Sequence, residues 1–245
     1  MLDLSAMSKW TNAWRMASAP IRERGWLETF RSIRSCVYDR KRERAAPFDA
    51  AFDTDTEHRV TVTDLDATGG DVPALWRYWP TPRDTFRRIV TAASPSFHET
   101  TFVDLGSGKG RVLLMASEYP FLRILGIELS PGLNAIAQQN LARWRSPSRR
   151  CTDVELRCMD ARDFVPPAGA ALVYLFQPFP ADVMRAVLER LGHSLRARPR
   201  PIQLAYLNPL HHALIVDSGH FVLKRWHHAT EKGAFDWAIY RTSAR

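Results

Sequence analysis

Three glycines and two carboxylates form the group in this chain best suited to chemistry. Asp104 stands just before Gly106, Gly108 and Gly110, and Glu128 follows 24 residues after Asp104. Glycine lets the backbone bend sharply and brings N–H groups close to a ligand. A carboxylate at the tip of a strand can accept hydrogen bonds from both hydroxyls of a ribose. The spacing therefore predicts a site for a nucleotide cofactor.

The elements that must position these groups lie in residues 101–140. Short apolar runs at 101–105 and 124–129 predict two strands, and each is followed by a stretch of helical periodicity. The glycines fall in the first turn, and Glu128 falls at the end of the second strand. This order is typical of a parallel β-α-β unit.

Two common nucleotide motifs do not fit. The dinucleotide fingerprint needs a third glycine at position 111, where the chain has Arg111, and a pyrophosphate has little use for Asp104. A P-loop needs Ser or Thr after its lysine, but Lys109 is followed by Gly110, and Val103 occupies the place of its first glycine. What remains is a ligand with an ammonium group and a ribose.

S-adenosylmethionine fits this description. Its ammonium group suits Asp104, its carboxylate suits the glycine-loop amides, and its ribose suits Glu128. The run DLGSGKG followed by GIELS resembles motif I and the acidic loop of class I methyltransferases, and the likeness extends to the C-terminus. The cofactor residues predicted in the loop are Asp104, Gly106, Ser107, Gly108 and Gly110.

The same resemblance implies where the adenine lies. A third strand is predicted at 154–159, and the residues after it are Asp160 and Ala161. In the family, a carboxylate here accepts from the exocyclic amine and the next backbone N–H serves a ring nitrogen. Leu129 is expected against the purine face. Asp163 is a nearby alternative to Asp160.

The run Tyr78-Trp-Pro-Thr-Pro precedes a predicted helix at 83–93. Thr81 is well placed to cap that helix, with Pro82 in its first turn. The run also resembles the Tyr-x-Pro-Thr/Ser element of seven-strand protein lysine methyltransferases, which helps to enclose the cofactor. Both interpretations of Thr81 stay open.

Residues for the methyl acceptor are predicted after the fourth and fifth strands, at 171–176 and 201–207. Gln177 occupies the motif IV position, where related enzymes carry Asn or Asp before Pro, and its carbonyl can accept a bond from an amine although it is no strong base. Phe179 and Tyr206 are expected to wall the acceptor pocket. The predicted catalytic residues are therefore Gln177, Asn208 and Tyr206, with Gln177 also touching the cofactor.

Two adjacent histidines, His211 and His212, follow the fifth strand. Either imidazole has the chemistry to remove a proton from an acceptor. Adjacent histidines at the start of a helix are more often polar surface residues, and we interpret this pair in that way.

A polar stretch begins at Pro47, in which Phe48 and Phe52 alternate with aspartates. We predict a loop with two aromatic anchors. It resembles the "FD…DT" segment of a group of bacterial methyltransferases of unassigned substrate, although Asp53 stands where a glycine is expected. Asp49, Asp53 and Asp55 offer metal-ligand oxygens, but we interpret them as solvated turn residues and predict no metal site.

Residues 1–74 are predicted to form an N-terminal extension that covers the active site of a cofactor-binding domain at 75–245. Apolar residues recur at helical spacing in 6–19 and 24–41, which predicts two amphipathic helices. We expect them to pack on the core or on a second subunit. A membrane-surface role is the alternative suggested by their basic face.

The composition limits the compartment and the partners. The 34 basic residues exceed the 26 acidic ones, for a net charge of +8, but the excess is spread over several loops. An RNA or an acidic protein partner therefore stays open without being favoured. The longest apolar run is far shorter than a membrane helix, and the N-terminus lacks a signal-peptide pattern, so a cytoplasmic protein is expected. Cys36, Cys151 and Cys158 are expected to be reduced thiols.

The predicted fold is an open, doubly wound α/β sheet. It has seven mostly parallel strands, a closing antiparallel hairpin at 221–228 and 235–242, and the N-terminal helical extension. The resemblance implies methyl transfer from S-adenosylmethionine, with a protein or peptide amine slightly favoured as acceptor. A small molecule, an RNA, or a cofactor-binding partner subunit without catalysis are the alternatives. The oligomeric state is not predicted.

Overall fold

A computed structural model describes residues 47–58, 78–230 and 235–243 of the chain. The two predicted N-terminal helices, and most of the predicted extension at 1–74, lie outside the described residues. No helix of the described part is long and apolar enough to cross a membrane. The helices are α1 (Phe48–Phe52), α2 (Arg83–Ala93), α3 (Arg111–Ala116), α4 (Pro131–Arg143), α5 (Ala181–Ala197) and α6 (His212–Asp217).

Seven strands form one sheet in the order β3-β2-β1-β4-β5-β7-β6. Strands β1 to β5 run parallel, and β7 is antiparallel to both β5 and β6. This confirms the predicted doubly wound sheet with its C-terminal hairpin. The strands are β1 (Thr100–Leu105), β2 (Arg123–Glu128), β3 (Val154–Cys158), β4 (Ala170–Phe176), β5 (Ile202–Leu207), β6 (Phe221–His227) and β7 (Trp237–Thr242).

Burial explains why β1 and β4 occupy the centre of the sheet. All six residues of β1 are buried, and so are the five inner residues of β4, as expected for parallel strands covered on both faces. Successive residues point to opposite faces. Phe102 packs in the core beneath α2 and α3, whereas Val103 packs in the core beneath α5.

The strand order reverses at the centre of the sheet. From β1 the chain moves outward to β2 and β3, then returns to place β4 on the other side of β1. In open α/β sheets, ligands bind outside the carboxyl ends of the strands at this switch point. The loops after β1, β2, β3, β4 and β5 therefore lie at one edge, here called the carboxyl edge.

The stretch predicted as a loop after Pro47 contains the short helix α1. Its aromatic anchors are confirmed, because Phe48 and Phe52 lie 5.6 and 4.6 Å from the Trp144 ring, between ring centroids. Asp53 ends α1 in the left-handed region, with φ of 53°. Aspartate tolerates this region better than most residues, so it takes the place that was expected to need glycine.

Helix α2 covers the predicted residues 83–93, and of the two interpretations of Thr81 the structure does not support the helix cap. The N-cap position is Pro82, and no side chain caps the helix. Thr81 instead lies one residue earlier, with its hydroxyl 3.0 Å from the hydroxyl of Tyr174.

Candidate cofactor and acceptor site

The loop after β1 folds tightly because two of its glycines leave no room for a side chain. Gly106 and Gly108 have φ of 83° and 53°. A Cβ atom on Gly106 would come within 2.6 Å of Pro178, and one on Gly108 within 2.4 Å of the Tyr78 ring. Because both contacts are shorter than a real Cβ allows, these positions require glycine.

The loop amides donate their hydrogen bonds within the protein. The N–H groups of Gly106 and Ser107 donate to the carbonyl of Ile127, and that of Gly110 donates to Ser107. The N–H of Gly108 donates to the Glu128 carboxylate at 2.8 Å. In the structure, three of these four amides bond the end of β2 and the fourth bonds within the loop. The cofactor carboxylate that we expected them to hold needs other donors or a rearranged loop.

Ser107 differs from its expected role in a second respect. Its side chain is buried, and the hydroxyl lies 3.1 Å from the position that a Cβ atom would take on Gly126 of β2. The hydroxyl therefore faces the neighbouring strand. Among the described residues this hydroxyl has no hydrogen-bond partner.

Asp104 is a buried carboxyl at the end of β1. It is 3% exposed, and burial raises its pKa well above the ordinary value, with the charge of Glu128 raising it further. No hydrogen bond or cation among the described residues offsets these two effects. A buried carboxylate in this state is stabilised by a cationic ligand.

The neighbour of Asp104 across the sheet is Tyr174, which sequence reasoning missed. The two residues are register partners of β1 and β4. Tyr174 is 1% exposed, and burial raises its pKa far above the ordinary value. Its hydroxyl bonds Thr81, which is 2% exposed. Thr81 thus belongs to a buried cluster beside Asp104 and not to a helix cap.

Glu128 is the second buried carboxylate, at the end of β2. Its oxygens accept from the N–H groups of Gly108 at 2.8 Å and Ser130 at 2.9 Å. Burial raises its pKa, and these backbone bonds oppose the rise. A carboxylate has about four acceptor positions, so Glu128 can still accept from a ribose hydroxyl beside its backbone bonds.

The residues predicted around the adenine lie along the same edge. Leu129 is 45% exposed although it is apolar, as a residue that packs on a ligand ring would be. Asp160 follows β3 and caps a short 3-10 turn, and the guanidinium bonds of Arg162 lower its pKa. Ala161 is buried behind it. Asp163 pairs with Arg190 of α5 on the surface, so both candidate carboxylates have an arginine partner.

Gln177 and Asn208 meet at the ends of β4 and β5. The Asn208 side-chain N–H donates to the Gln177 carbonyl. Both residues adopt the left-handed region, with φ of 46° and 54°. Such a conformation costs energy for a non-glycine residue and is found at functional sites. The structure therefore brings together the two amides that were predicted for the acceptor.

Tyr206, which we predicted to contact the acceptor, does not line the rim in the structure. It is fully buried and packs in the core beneath α5, because it precedes the end of β5 and points away from the rim. Phe179 is also buried, so neither of the two aromatic residues that we expected to line the acceptor pocket is exposed at the rim. Phe176, Trp79 and Phe235 form an aromatic group there, with Phe235 5.2 Å from Phe176 and 5.8 Å from Trp79 between ring centroids.

The two histidines after β5 have structural partners. His211 lies 3.1 Å from the carbonyl of Phe179, and His212 lies 2.8 Å from the hydroxyl of Tyr240. Both histidines are half-buried. They join α6 to the loop after β4 and to β7, which differs from the solvated role that we predicted.

Among the described residues, Asp49, Asp55 and His58 lie close enough to hold a metal ion. The Asp49 carboxylate already accepts from the hydroxyls of Thr54 and Thr56 and from two backbone N–H groups. Asp55 accepts from Lys109 at 2.8 Å. These bonds tie Asp49 and Asp55 to neighbouring residues, which differs from the purely solvated role that we predicted.

Sequence reasoning also missed two buried cations that flank Gly110. Lys109 is 1% exposed and Arg111 is 2% exposed. Both entered the sequence argument only as departures from other motifs. Charged residues are almost always exposed unless paired, so their burial becomes visible only with the partners in place.

No protein-family profile and no curated protein sequence matches the chain. Solved structures do match it. Magnesium protoporphyrin IX methyltransferase from Synechocystis PCC 6803 with bound S-adenosylmethionine is 12% identical, with a TM-score of 0.48 over 66% of this chain and 79% of that one. Ribosomal protein L11 methylase from Lactobacillus delbrueckii subsp. bulgaricus is 13% identical, with a TM-score of 0.47 over 67% and 81%.

A third match is the 23S rRNA methyltransferase ErmE, which is 15% identical, with a TM-score of 0.46 over 68% of this chain and 69% of that one. The names of these three proteins refer to different substrates: a porphyrin, a ribosomal protein and a ribosomal RNA. Similarity at this level selects no acceptor for the present chain.

Proposed function

We propose that this protein is an S-adenosylmethionine-dependent methyltransferase. The observation that carries the proposal is the pair of buried carboxylates, Asp104 and Glu128, at the ends of adjacent parallel strands beside a glycine loop. Burying a carboxylate is costly unless hydrogen bonds or a cation compensate it. A ligand that carries both an ammonium group and a ribose compensates both.

The residues along the carboxyl edge divide the work of binding. Asp104 holds the ammonium group, and Thr81 and the glycine loop enclose the methionine part. Glu128 accepts from the ribose hydroxyls. Leu129 packs on the purine, while Asp160 and the backbone N–H of Ala161 bond its polar edge. When bound, the cofactor supplies a methyl group activated by the sulfonium.

The acceptor approaches from the ends of β4 and β5. Gln177 and Asn208 would orient the nucleophile toward the methyl group that the bound cofactor would supply. An amine acceptor would release its proton to bulk solvent after the methylated product leaves the site. Holding the nucleophile in line and excluding water is the main contribution of the protein.

A protein or peptide amine is the acceptor class that we favour. Amide carbonyls accept N–H bonds, and Gln177 and Asn208 present such groups together at the ends of β4 and β5. The likeness of the Thr81 segment to that of protein lysine methyltransferases supports the same class. A small-molecule acceptor is a second candidate, because it could pack on the aromatic group around Phe235. An RNA acceptor is a third candidate, because the chain has a net positive charge.

Calorimetric titration tests the cofactor. We expect the purified protein to bind S-adenosylmethionine and its demethylated product, but not NAD, since Arg111 replaces the third glycine of the dinucleotide motif. Binding of NAD without a response to either methyl cofactor would contradict the proposal.

A transfer screen with a tritiated methyl group identifies the acceptor. The protein is incubated with a cell extract, which is then separated into protein, RNA and metabolite fractions. We expect label in the protein fraction. Label in another fraction would reassign the acceptor, and cofactor binding without any transfer would favour a non-catalytic partner subunit. A cytoplasmic location stays a prediction.

A further inference from the structure

Residues 47–58, here called the strap, lie against the glycine loop and the helices that follow it. The strap holds its own shape, because the Asp49 carboxylate accepts bonds from Thr54, Thr56 and Glu57. It is fastened to α4 through Asn140, whose side chain accepts from the N–H of Asp55 and donates to its carbonyl, at 2.8 and 3.0 Å. The strap is therefore a preformed unit that docks on the site.

The strap provides carboxylate and hydroxyl partners for the two buried cations, and Arg111 also donates to the carbonyl of Thr81 at 3.0 Å. Lys109 donates to Asp55 at 2.8 Å. Arg111 donates to Thr56 at 3.1 Å and lies 3.8 Å from the carboxylate of Glu57. A buried cation without its partner is strongly unfavourable, so the glycine loop depends on the strap for its geometry.

Three further contacts lead from the strap to a cofactor residue. The Tyr78 hydroxyl donates to the carbonyl of Thr56 at 2.8 Å. The Tyr78 ring lies where a Cβ on Gly108 would be, which fixes the position of that glycine. The N–H of Gly108 then donates to Glu128 at 2.8 Å, on the carboxylate proposed to hold the ribose. A displacement of the strap would therefore move Tyr78 and Gly108, and through them change the position of Glu128.

We propose that Asp55, acting through Lys109, and Tyr78, acting through Gly108, are positioning residues for S-adenosylmethionine. Neither needs to touch the cofactor. The inference rests on the proposed function, since it assigns the strap to the same cofactor site. It gives the ion pair between half-exposed Asp55 and buried Lys109 a role in affinity that goes beyond stability.

The test compares Asp55→Asn with Asp153→Asn. Each removes one carboxylate that pairs with a basic residue, but Asp153 pairs with Arg123 on the surface, at 3.3 Å and away from the glycine loop. The dissociation constant for S-adenosylmethionine is measured by calorimetry well below the unfolding temperature of each variant. We expect Asp55→Asn to weaken binding about tenfold, the effect of one lost charge-assisted contact, and Asp153→Asn to leave it unchanged.

The double variant Asp55→Asn with Lys109→Met shows whether the two residues act as a unit. If they do, the double variant binds no more weakly than either single variant. Tyr78→Phe keeps every charge, and it decides the case if Asp55→Asn fails to fold. We expect it to weaken binding about threefold, as for one neutral hydrogen bond.

Wild-type affinity in both Asp55→Asn and Tyr78→Phe, even with lowered unfolding temperatures, would overturn the inference, because the strap would then only stabilise the fold. That result leaves the proposed function intact. Absence of binding by the wild-type protein itself would remove the proposed function and the inference together.

Discussion

At the ends of β1 and β2 the site contains buried charge, whereas at the ends of β4 and β5 it contains neutral amides and aromatic rings. Asp104 and Glu128 are 3% and 8% exposed, and burial raises the pKa of both. Gln177 and Asn208 bond each other, and neither amide can act as a strong base. The contrast suggests that one half binds a charged cofactor and the other half orients an acceptor.

The two halves of the site should also contribute to different free energies, that of cofactor binding and that of activation. Charge-assisted bonds in a buried site contribute mainly to affinity. Neutral orienting bonds contribute mainly to the rate, by holding the reacting atoms in line. Substitutions in the two halves should therefore change different measured quantities.

The largest effect is expected for Asp104→Asn. Loss of its charge should weaken S-adenosylmethionine binding about a hundredfold, which corresponds to about 3 kcal/mol. The protein without cofactor should become more stable at neutral pH. Because burial raises the Asp104 pKa, the folded state binds the proton more tightly than the unfolded state, and the stability of the wild type falls as pH rises through that pKa.

Calorimetry and thermal unfolding measure the two effects on the same samples. A variant that is less stable than the wild type at neutral pH, with unchanged affinity, would mean that the Asp104 carboxylate is compensated inside the protein.

A substitution in the neutral half should change the rate instead. We expect Gln177→Ala to reduce turnover of the labelled acceptor about tenfold to a hundredfold, the effect of one lost orienting bond with some misalignment. Cofactor affinity should stay nearly intact. If Gln177→Ala and Asn208→Ala both turn over the acceptor at the wild-type rate, the acceptor lies elsewhere on the carboxyl edge.

Glu128→Ala should weaken cofactor binding about tenfold, since the ribose loses charge-assisted bonds. Glu155→Ala is the matched control, because Glu155 is a carboxylate on the neighbouring strand β3 that pairs with Arg157 instead. The comparison is made by calorimetry, with circular dichroism to confirm folding. Equal affinities of the two variants would place the ribose away from Glu128.

The smallest effect is expected for Tyr206→Phe. The Tyr206 side chain is fully buried beneath α5, so we expect turnover to change by no more than about twofold. Initial rates at saturating cofactor provide the measurement. A loss comparable with that of Gln177→Ala would show that the rim opens far enough to expose this hydroxyl.

Sequence reasoning located the strands well because their apolar runs are short, continuous and bounded by turns. Strand β4 begins at Ala170 and β5 at Ile202, each one residue from the prediction. The positions of Asp104, Glu128 and Gln177 at strand ends followed from the same pattern. The order of the sheet then brought these residues to one edge, as parallel topology requires.

The errors arise where a distant residue decides a role. Local sequence rules allow Thr81 to cap the helix. In the structure its hydroxyl instead bonds the hydroxyl of Tyr174, which is 93 positions away in sequence. Tyr206 has suitable chemistry for an acceptor pocket, yet the alternation of β5 turns it into the core. The burial of Lys109 depends on Asp55, which is 54 positions away. Local sequence patterns do not indicate partners that are distant in sequence.

Asp104 is a buried carboxyl whose ionised form a cationic ligand would stabilise. Since burial raises its pKa, ligand binding should favour the ionised form and release a proton, so affinity should fall as pH falls through that pKa. The direct measurement is calorimetry with S-adenosylmethionine between about pH 5 and 8, in buffers of different ionisation enthalpy. Proton release by the wild type that disappears in Asp104→Asn is the predicted result. Tight binding with the same proton release in both proteins would contradict the account.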